Sequence, residues 1–145
     1  MPVICRSTSN YQTEIIINQH LLLSDESLED GGDDAGPSPS SLLLGALGAC
    51  KVITAEMYAR RKGWKLEHVE IRLDSRKVLA EECEDCVSAP GTKVEIIECY
   101  LNFEGDLTPE QITRLHEIAN RCPVQRTLMG EIKVRTYLDL GTTTN

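Results

Sequence analysis

Positive charge is scarce in this chain of 145 residues, in which 15 lysines and arginines stand against 23 aspartates and glutamates, for a net charge of −8. The resulting field repels phosphate groups, so the composition argues against nucleic acids and anionic membrane surfaces as partners. Hydrophobic residues make up 41% and charged residues 26%, which is typical of a globular protein. At this length we expect one domain, residues 1–145.

Sequence signals for export or membrane insertion are also not found. The polar run Ser7–Asn10 comes too early for the basic start and apolar stretch of a signal peptide. We expect no apolar run to approach the length needed to cross a bilayer. These absences predict a cytoplasmic protein, and in that reducing compartment the six cysteines are not expected to form a set of structural disulfides.

Common catalytic and ligand-binding motifs are absent as well. The sequence contains no GxSxG, P-loop, HExxH or GxGxxG, and its acidic loop at 25–39 lacks the spacing and final glutamate of a calcium loop. Cys83 and Cys86 form one CxxC, but zinc needs four ligands and no second CxxC or CxxH pair follows. Metal binding or redox sensing by this pair stays a minor alternative.

Secondary structure can be predicted from periodicity and capping signals. Strands are predicted at 3–7, 12–17, 20–23, 65–76, 92–105 and 131–140. Helices are predicted at 39–62, from 109 to the break at Pro123, and from there through Leu128. The first half of the long helix is apolar on nearly every side, which indicates an enclosed central helix. The order of elements predicts an α+β fold with antiparallel sheet around that helix.

Two cysteines stand out by their positions. Cys50 lies mid-helix among apolar neighbours, where a thiol serves either as core filling or as a protected reactive group. Cys122 precedes Pro123 at a predicted helix start, where the macrodipole and free N–H groups favour a thiolate. A cysteine that only fills a helix–helix junction would look the same, so the residues alone leave both alternatives open.

Four stretches resemble the OsmC/Ohr family. ProSerProSerSerLeuLeuLeuGlyAlaLeuGlyAlaCys at 37–50 and ThrAlaGluMetTyrAlaArgArgLysGlyTrp at 54–64 resemble its central helix. GluGlyAspLeuThrProGluGln at 104–111 and ArgLeuHisGluIleAlaAsnArgCysProValGln at 114–125 resemble its C-terminal helix and second cysteine. The resemblance runs in order over residues 36–140, and CysGluAspCys resembles a CxDC insertion of one OsmC-like branch.

The resemblance implies antiparallel sheets wrapped round a long central helix, in an intertwined homodimer with active sites at the subunit interface. It implies a thiol peroxidase for organic hydroperoxides in oxidative-stress defence, with Cys50 peroxidatic and Cys122 resolving. An arginine would stabilise the thiolate, with Arg6 the first candidate and Arg126 the second. The reductant would be a dithiol such as a lipoyl protein, and no metal or bound organic cofactor is expected.

Two departures from the family pattern bear on this activity. The peroxidase motif has a glutamate after the proline that precedes the central helix, where this chain has Ser40 and Ser41. The second motif is often CysProValHis, where this chain has Gln125. An alternative is therefore an OsmC-like protein without peroxidase activity that binds a small apolar ligand or a partner.

Overall fold

The computed structural model describes residues 1–141 and shows an α+β fold built on antiparallel sheets and one long helix. The strands are β1 Val3–Ser7, β2 Thr13–Ile17, β3 His20–Ser24, β4 Lys65–Leu79 and β5 Lys93–Asp106. The helices are α1 Pro39–Lys62, α2 Pro109–Ala119 and α3 Pro123–Met129, with a 3₁₀ turn at Ala80–Glu82. The predicted fold class is confirmed, and so are these elements to within a few residues.

Two antiparallel sheets are formed by neighbouring segments of the chain. β1, β2 and β3 form a meander, and β4 and β5 form a long hairpin in which Lys65 lies opposite Asp106 and Leu79 opposite Lys93. The tight turn between β2 and β3 places Asn18 at φ 54°, a left-handed conformation that asparagine tolerates better than most residues. Short connections of this kind pair strands that are adjacent in sequence.

Helix α1 begins and ends where the capping signals predict. The Ser38 hydroxyl accepts a hydrogen bond from the backbone N–H of Ser41 at 3.2 Å, and Pro39 occupies the first turn. At the other end Gly63 adopts φ 69°, which a residue without a Cβ reaches without strain. The basic residues in the last turn complement the negative end of the helix dipole.

The best-packed part of the core lies between α1 and α2. Ala55 and Ala59 on α1 meet Leu115 and Ala119 on α2, and all four are essentially inaccessible to solvent. Small side chains on three of the four positions let the two helices approach closely. Larger residues complete this cluster: Tyr58, Trp64, Leu66, Leu101, Phe103 and Leu107.

The loop at 25–38 is organised around a buried carboxylate. Asp25 accepts hydrogen bonds from the backbone N–H groups of Glu26, Asp33 and Ala35 at 2.8, 3.1 and 3.0 Å. The bond from Ala35 is the main reason why the pKa of Asp25 lies below its ordinary value. Most residues of this acidic loop are exposed or half-buried, but Asp25 and Gly32 are buried.

Within a single chain, α1 is enclosed on one side only. Leu47, Lys51, Ala55 and Ala59 face the interior, whereas the opposite side presents an open apolar stripe of Leu43, Ala46, Cys50, Ile53 and Met57. Ile53 is 56% exposed and Met57 is 66% exposed. The prediction of an enclosed central helix is therefore wrong for the chain alone, because β4, α2 and α3 cover only one face of α1.

The expectation that no apolar run approaches the length needed to cross a bilayer is wrong for α1. By length and composition alone it could cross a bilayer. In the structure, however, it packs against β4, α2 and α3. Its apolar residues are thus used, at least on one face, as the central helix of the fold.

The strand predicted at 131–140 is not formed. Residues 131–141 have no regular secondary structure, and Val134, Leu138 and Leu140 are more than four-fifths exposed. The alternating pattern suits a strand, but a strand also needs a neighbour to accept its backbone hydrogen bonds. No strand among residues 1–141 pairs with this segment.

Two glycines of α1 differ in what surrounds them. A Cβ added at Gly48 would lie 2.8 Å from Leu73 Cδ1 and 3.4 Å from Ile71 Cγ2, whereas one at Gly45 would meet nothing within 4 Å. Gly48 therefore leaves room for the Leu73 side chain of β4 to pack against α1.

We expect Gly48→Val to lower the free energy of unfolding by about 1–3 kcal/mol, because the added methyl groups overlap β4 side chains. The matched variant Gly45→Val is expected to change it by less than about 0.5 kcal/mol. Urea denaturation followed by circular dichroism measures both. Equal effects at the two positions would show that close approach to β4 does not explain Gly48.

Candidate functional site

Two cysteine side chains from distant parts of the chain meet beneath α1. Cys50 lies half-buried in the middle of α1, and Cys122 is completely buried between α2 and α3. The two thiols are close enough that Cys50 contributes to raising the pKa of Cys122. Both are free thiols in the structure. Thiols in such proximity can join as a disulfide once their side chains come within bonding distance.

Cys122 caps the N-terminus of α3, as its place before Pro123 predicts. Its backbone is extended, and its sulfur accepts a hydrogen bond from the backbone N–H of Gln125 at 3.4 Å. Its carbonyl accepts from the N–H of Arg126 at 3.1 Å. The sulfur thus occupies the position at which a helix start favours negative charge.

Opposing influences act on the Cys122 thiol. Burial raises its pKa above the ordinary value of a cysteine, the hydrogen bond from the Gln125 N–H opposes that rise, and contact with Cys50 adds to it. The positive charge of Lys51 also opposes the rise. The net result is a raised pKa, so the cation and the helix start limit the effect of burial without cancelling it.

Lys51 is the functional candidate that the sequence analysis missed. It is 1% exposed, and its Nζ donates to Ala119 O at 3.4 Å, to Asn120 Oδ1 at 3.2 Å and to Gln125 Oε1. The sequence held a signal, because Lys51 is four residues from both Leu47 and Ala55 and so shares their buried face. A lysine on such a face needs polar partners, and the α2–α3 junction supplies them.

A cavity of about 590 Å³ opens beside these groups. Its apolar part is lined by Leu43, Leu47, Ile97, Leu128 and Met129, and its polar part by Lys51, Glu95, Cys99, His116, Asn120 and Gln125. Cys99 of β5, which also lines this cavity, is a third free thiol in this region. Burial raises the pKa of Cys99, and the charge of Lys51 partly offsets that rise. The cavity is large enough for a small organic molecule.

The arginines predicted to serve the thiols are not brought to them within the chain. Arg6 lies on exposed β1, and its side chain makes no hydrogen bond or ion pair among residues 1–141. Arg126 follows Cys122 on α3 but is also exposed. The role predicted for Arg6 stays a prediction, and Lys51 is the cation that the structure places at the site.

Cys83 and Cys86 form a disulfide at the tip of the β4–β5 hairpin, and the other four cysteines are free, so the six cysteines do not form a set of structural disulfides. Asp85 lies with the two sulfurs in a group of three potential ligand atoms within 4.8 Å of one another, but sulfurs joined in a disulfide are not the thiolates that bind zinc. Six strand residues separate Cys99 from the start of β5, a distance of about 20 Å along the strand. The pair is therefore separate from the Cys50–Cys122 site.

Comparisons with known proteins identify a family and a set of solved structures with the same fold. Residues 31–136 match the model of a family described as OsmC-like protein. No curated protein matches the chain. Solved structures with this fold include an OsmC-like protein from Mycoplasma pneumoniae, at 18% identity and TM-score 0.64, covering 89% of this chain and 86% of that one.

Two further similar structures are described as organic hydroperoxide resistance proteins. The protein from Legionella pneumophila is 16% identical with a TM-score of 0.63, and 90% of each chain is covered. The protein from Elizabethkingia anophelis, solved with thiocyanate bound, is 17% identical with a TM-score of 0.62, and covers 92% of this chain and 91% of that one. At these identities the likeness shows a shared fold.

Proposed function

The chain belongs to the OsmC-like protein family, and on that premise we propose that it reduces organic hydroperoxides with Cys50 as the peroxidatic and Cys122 as the resolving thiol. The observation that carries the proposal is the proximity of these two side chains, beside Lys51, which also lines a cavity with an apolar part. Similar structures described as organic hydroperoxide resistance proteins support a role in peroxide stress.

The reaction needs only the two thiols and an external dithiol. The Cys50 thiolate attacks one peroxide oxygen, the O–O bond breaks, and the alkoxide takes up a proton and leaves as an alcohol. Cys50 is then a sulfenic acid. The Cys122 thiolate attacks that sulfur, an S–S bond forms, and the hydroxyl leaves as water after taking up a proton. A dithiol reductant, such as a lipoyl protein, returns both cysteines to thiols and is itself oxidised.

The lining of the cavity favours organic hydroperoxides over hydrogen peroxide. Five of its residues are leucine, isoleucine or methionine, and an alkyl or aryl group that leaves water to contact them gains about 25 cal/mol per Å² of buried apolar surface. Lys51 and Cys99 belong to the polar part, and Cys122 lies next to the Lys51 acceptors Asn120 and Gln125. A peroxide with its apolar group against the leucines would present its oxygens to that part.

We also infer that the working form is a homodimer. The open stripe and the exposed apolar residues of 131–141 leave more hydrophobic surface uncovered than a soluble monomer usually shows. A second copy would cover the stripe and offer residues 131–141 a strand to pair with. Because Cys50 belongs to the stripe, the site would then lie at the subunit interface.

A second candidate function follows from the start of α1. Its first turn has no acidic residue, since Ser40 and Ser41 stand where the peroxidase motif has a glutamate. A chain of this fold without peroxidase activity would use the same cavity to bind a small apolar ligand. Undetectable turnover with every dithiol reductant, together with a specific bound ligand, would favour this alternative.

The proposal is tested by stopped turnover with cumene hydroperoxide followed by mass mapping of the cysteines. We expect one new disulfide, between Cys50 and Cys122, in stoichiometric yield. Cys5 and Cys99 should stay free, and they act as internal controls for non-specific oxidation. Oxidation that spreads over Cys5 and Cys99 without joining Cys50 to Cys122 would contradict the proposed roles.

A further inference from the structure

We propose that Lys51 supplies the fixed positive charge that keeps Cys122 reactive during the resolving step. This inference rests on the proposed function and gives a role to a residue outside the two thiols. Lys51 acts through Cys122 and is therefore a positioning residue. It takes the place, for this step, of an arginine that the chain does not bring to the site.

Residues on both sides of Cys122 in the chain accept hydrogen bonds from the Lys51 amino group. Two of the three acceptors, Ala119 O and Asn120 Oδ1, come just before Cys122, and the third, Gln125 Oε1, comes just after it. Gln125 also donates its backbone N–H to the Cys122 sulfur at 3.4 Å. The charge is thereby held at a constant place relative to that sulfur.

The number of acceptors around Lys51 Nζ matches the number of N–H donors of an ammonium group. An ammonium group has three N–H donors, and three oxygens accept from it, whereas a neutral amine has only two N–H donors. All three acceptors are neutral amide or carbonyl oxygens. Lys51 thus has no N–H left to donate to a peroxide, and its influence on the thiols is purely electrostatic.

No carboxylate neutralises this buried charge within the part of the chain that the structure describes. Residues 1–141 contain no ion pair of Lys51. A cation buried without a counter-ion is costly, and an anion formed nearby is correspondingly stabilised. The nearby groups able to become anionic include the thiols of Cys122 and Cys99, and the charge of Lys51 opposes the rise that burial causes in the pKa of both.

Other titratable groups of the surrounding elements must be considered for any pH dependence. They are Cys50 on α1, Glu95 and Cys99 on β5, His116 on α2 and Arg126 on α3. Glu95 hydrogen-bonds with Ser75, and Arg126 is exposed. Lys51 is the buried cation of this group. A change in its charge should therefore move the titration of Cys122 more than a change at any exposed member.

The chemical consequence concerns the second half of the reaction. Cys122 must attack the Cys50 sulfenic acid as a thiolate, and burial works against ionisation. The charge of Lys51 opposes the effect of burial, so more of Cys122 is ionised at a given pH with Lys51 in place than without it. Without it the sulfenic acid persists, and excess hydroperoxide converts it to sulfinic acid.

The test compares Lys51→Met, which removes the charge, with Lys51→Arg, which keeps it, in single-turnover reactions with cumene hydroperoxide. For Lys51→Met we expect disulfide formation about tenfold slower at pH 7, a pH profile moved up by about one unit, and more sulfinic acid at Cys50 by mass spectrometry. Raising the pH should restore the wild-type rate. Lys51→Arg should resemble the wild type. A purely structural role would slow the step at every pH, and that result would overturn the proposal.

A second measurement separates this inference from the proposed function. Titration of Cys122 by NMR of ¹³Cβ-labelled cysteine needs no turnover, and its midpoint should rise by about one unit in Lys51→Met. An unchanged midpoint would overturn the inference even if the protein is a peroxidase. If Lys51→Met does not fold, Gln125→Glu places a counter-charge on Lys51 without changing side-chain size, and it should raise the midpoint in the same direction. An absent sulfenic acid at Cys50, with the midpoint shifted as expected, would reject only the proposed function.

Discussion

Replacement of Cys50 by serine is expected to abolish turnover of cumene hydroperoxide. A serine hydroxyl is almost fully protonated near neutral pH and does not form a sulfenic acid, so the first step has no nucleophile. We expect kcat/KM to fall by more than about a thousandfold, the scale on which loss of a catalytic nucleophile is felt. Alcohol formation from the hydroperoxide, measured with a dithiol reductant in excess, gives the rate.

Two cysteine variants serve as controls for this result. Cys122→Ser should still consume one equivalent of hydroperoxide in the first turnover, because Cys50 is intact, and should then accumulate sulfenic and sulfinic acid. Cys5→Ser changes an exposed thiol on β1 and should behave like the wild type. Wild-type turnover in Cys50→Ser would remove the peroxidatic role of Cys50 and favour the ligand-binding alternative.

An acidic residue in the open stripe is expected to separate the homodimer into single chains. We expect the wild-type protein to sediment at twice the chain mass of 16.1 kDa, and Ile53→Asp to sediment at the mass of one chain. Ile53 is 56% exposed in the single chain, so the aspartate is solvated there, whereas in a dimer its charge would be buried without a partner. Analytical ultracentrifugation measures the mass.

The matched control for this variant is Val87→Asp. Val87 is fully exposed at the tip of the β4–β5 hairpin, outside the stripe, so the same kind of change should leave the mass at that of two chains. Because Cys50 lies on the stripe, Ile53→Asp should also reduce peroxide turnover. A wild-type protein that sediments as one chain at micromolar concentration would show that the stripe has another use.

The local elements of this fold could be predicted from local patterns. Ser38, Pro39 and Gly63 mark the ends of α1 because each acts through groups within four residues of itself. The same holds for the capping box of Thr108 and Gln111 at the start of α2. Cys122 could likewise be placed at a helix start, since Pro123 follows it directly.

Predictions that depended on distant neighbours were less successful. Residues 131–140 have the alternation of a strand, yet no strand of residues 1–141 pairs with them. The open side of α1 could not be foreseen either, because apolar composition does not reveal how much covering surface one chain provides. In both cases the outcome depends on which other element packs against the segment, and the local periodicity of a sequence does not contain that information.

By itself, the sequence determined the order and type of the elements, the ends of the helices, and the presence of two cysteines in suitable settings. Only the tertiary structure decided that Cys50 lies near Cys122, that Cys83 is joined to Cys86, and that Lys51 lies buried against the segment that carries Cys122. Helix ends depend on hydrogen bonds between near neighbours in the chain, and therefore leave a local signature. The charge beside a thiol depends on side chains 68 to 74 positions apart, which only the packing of α1 against α2 and α3 brings together.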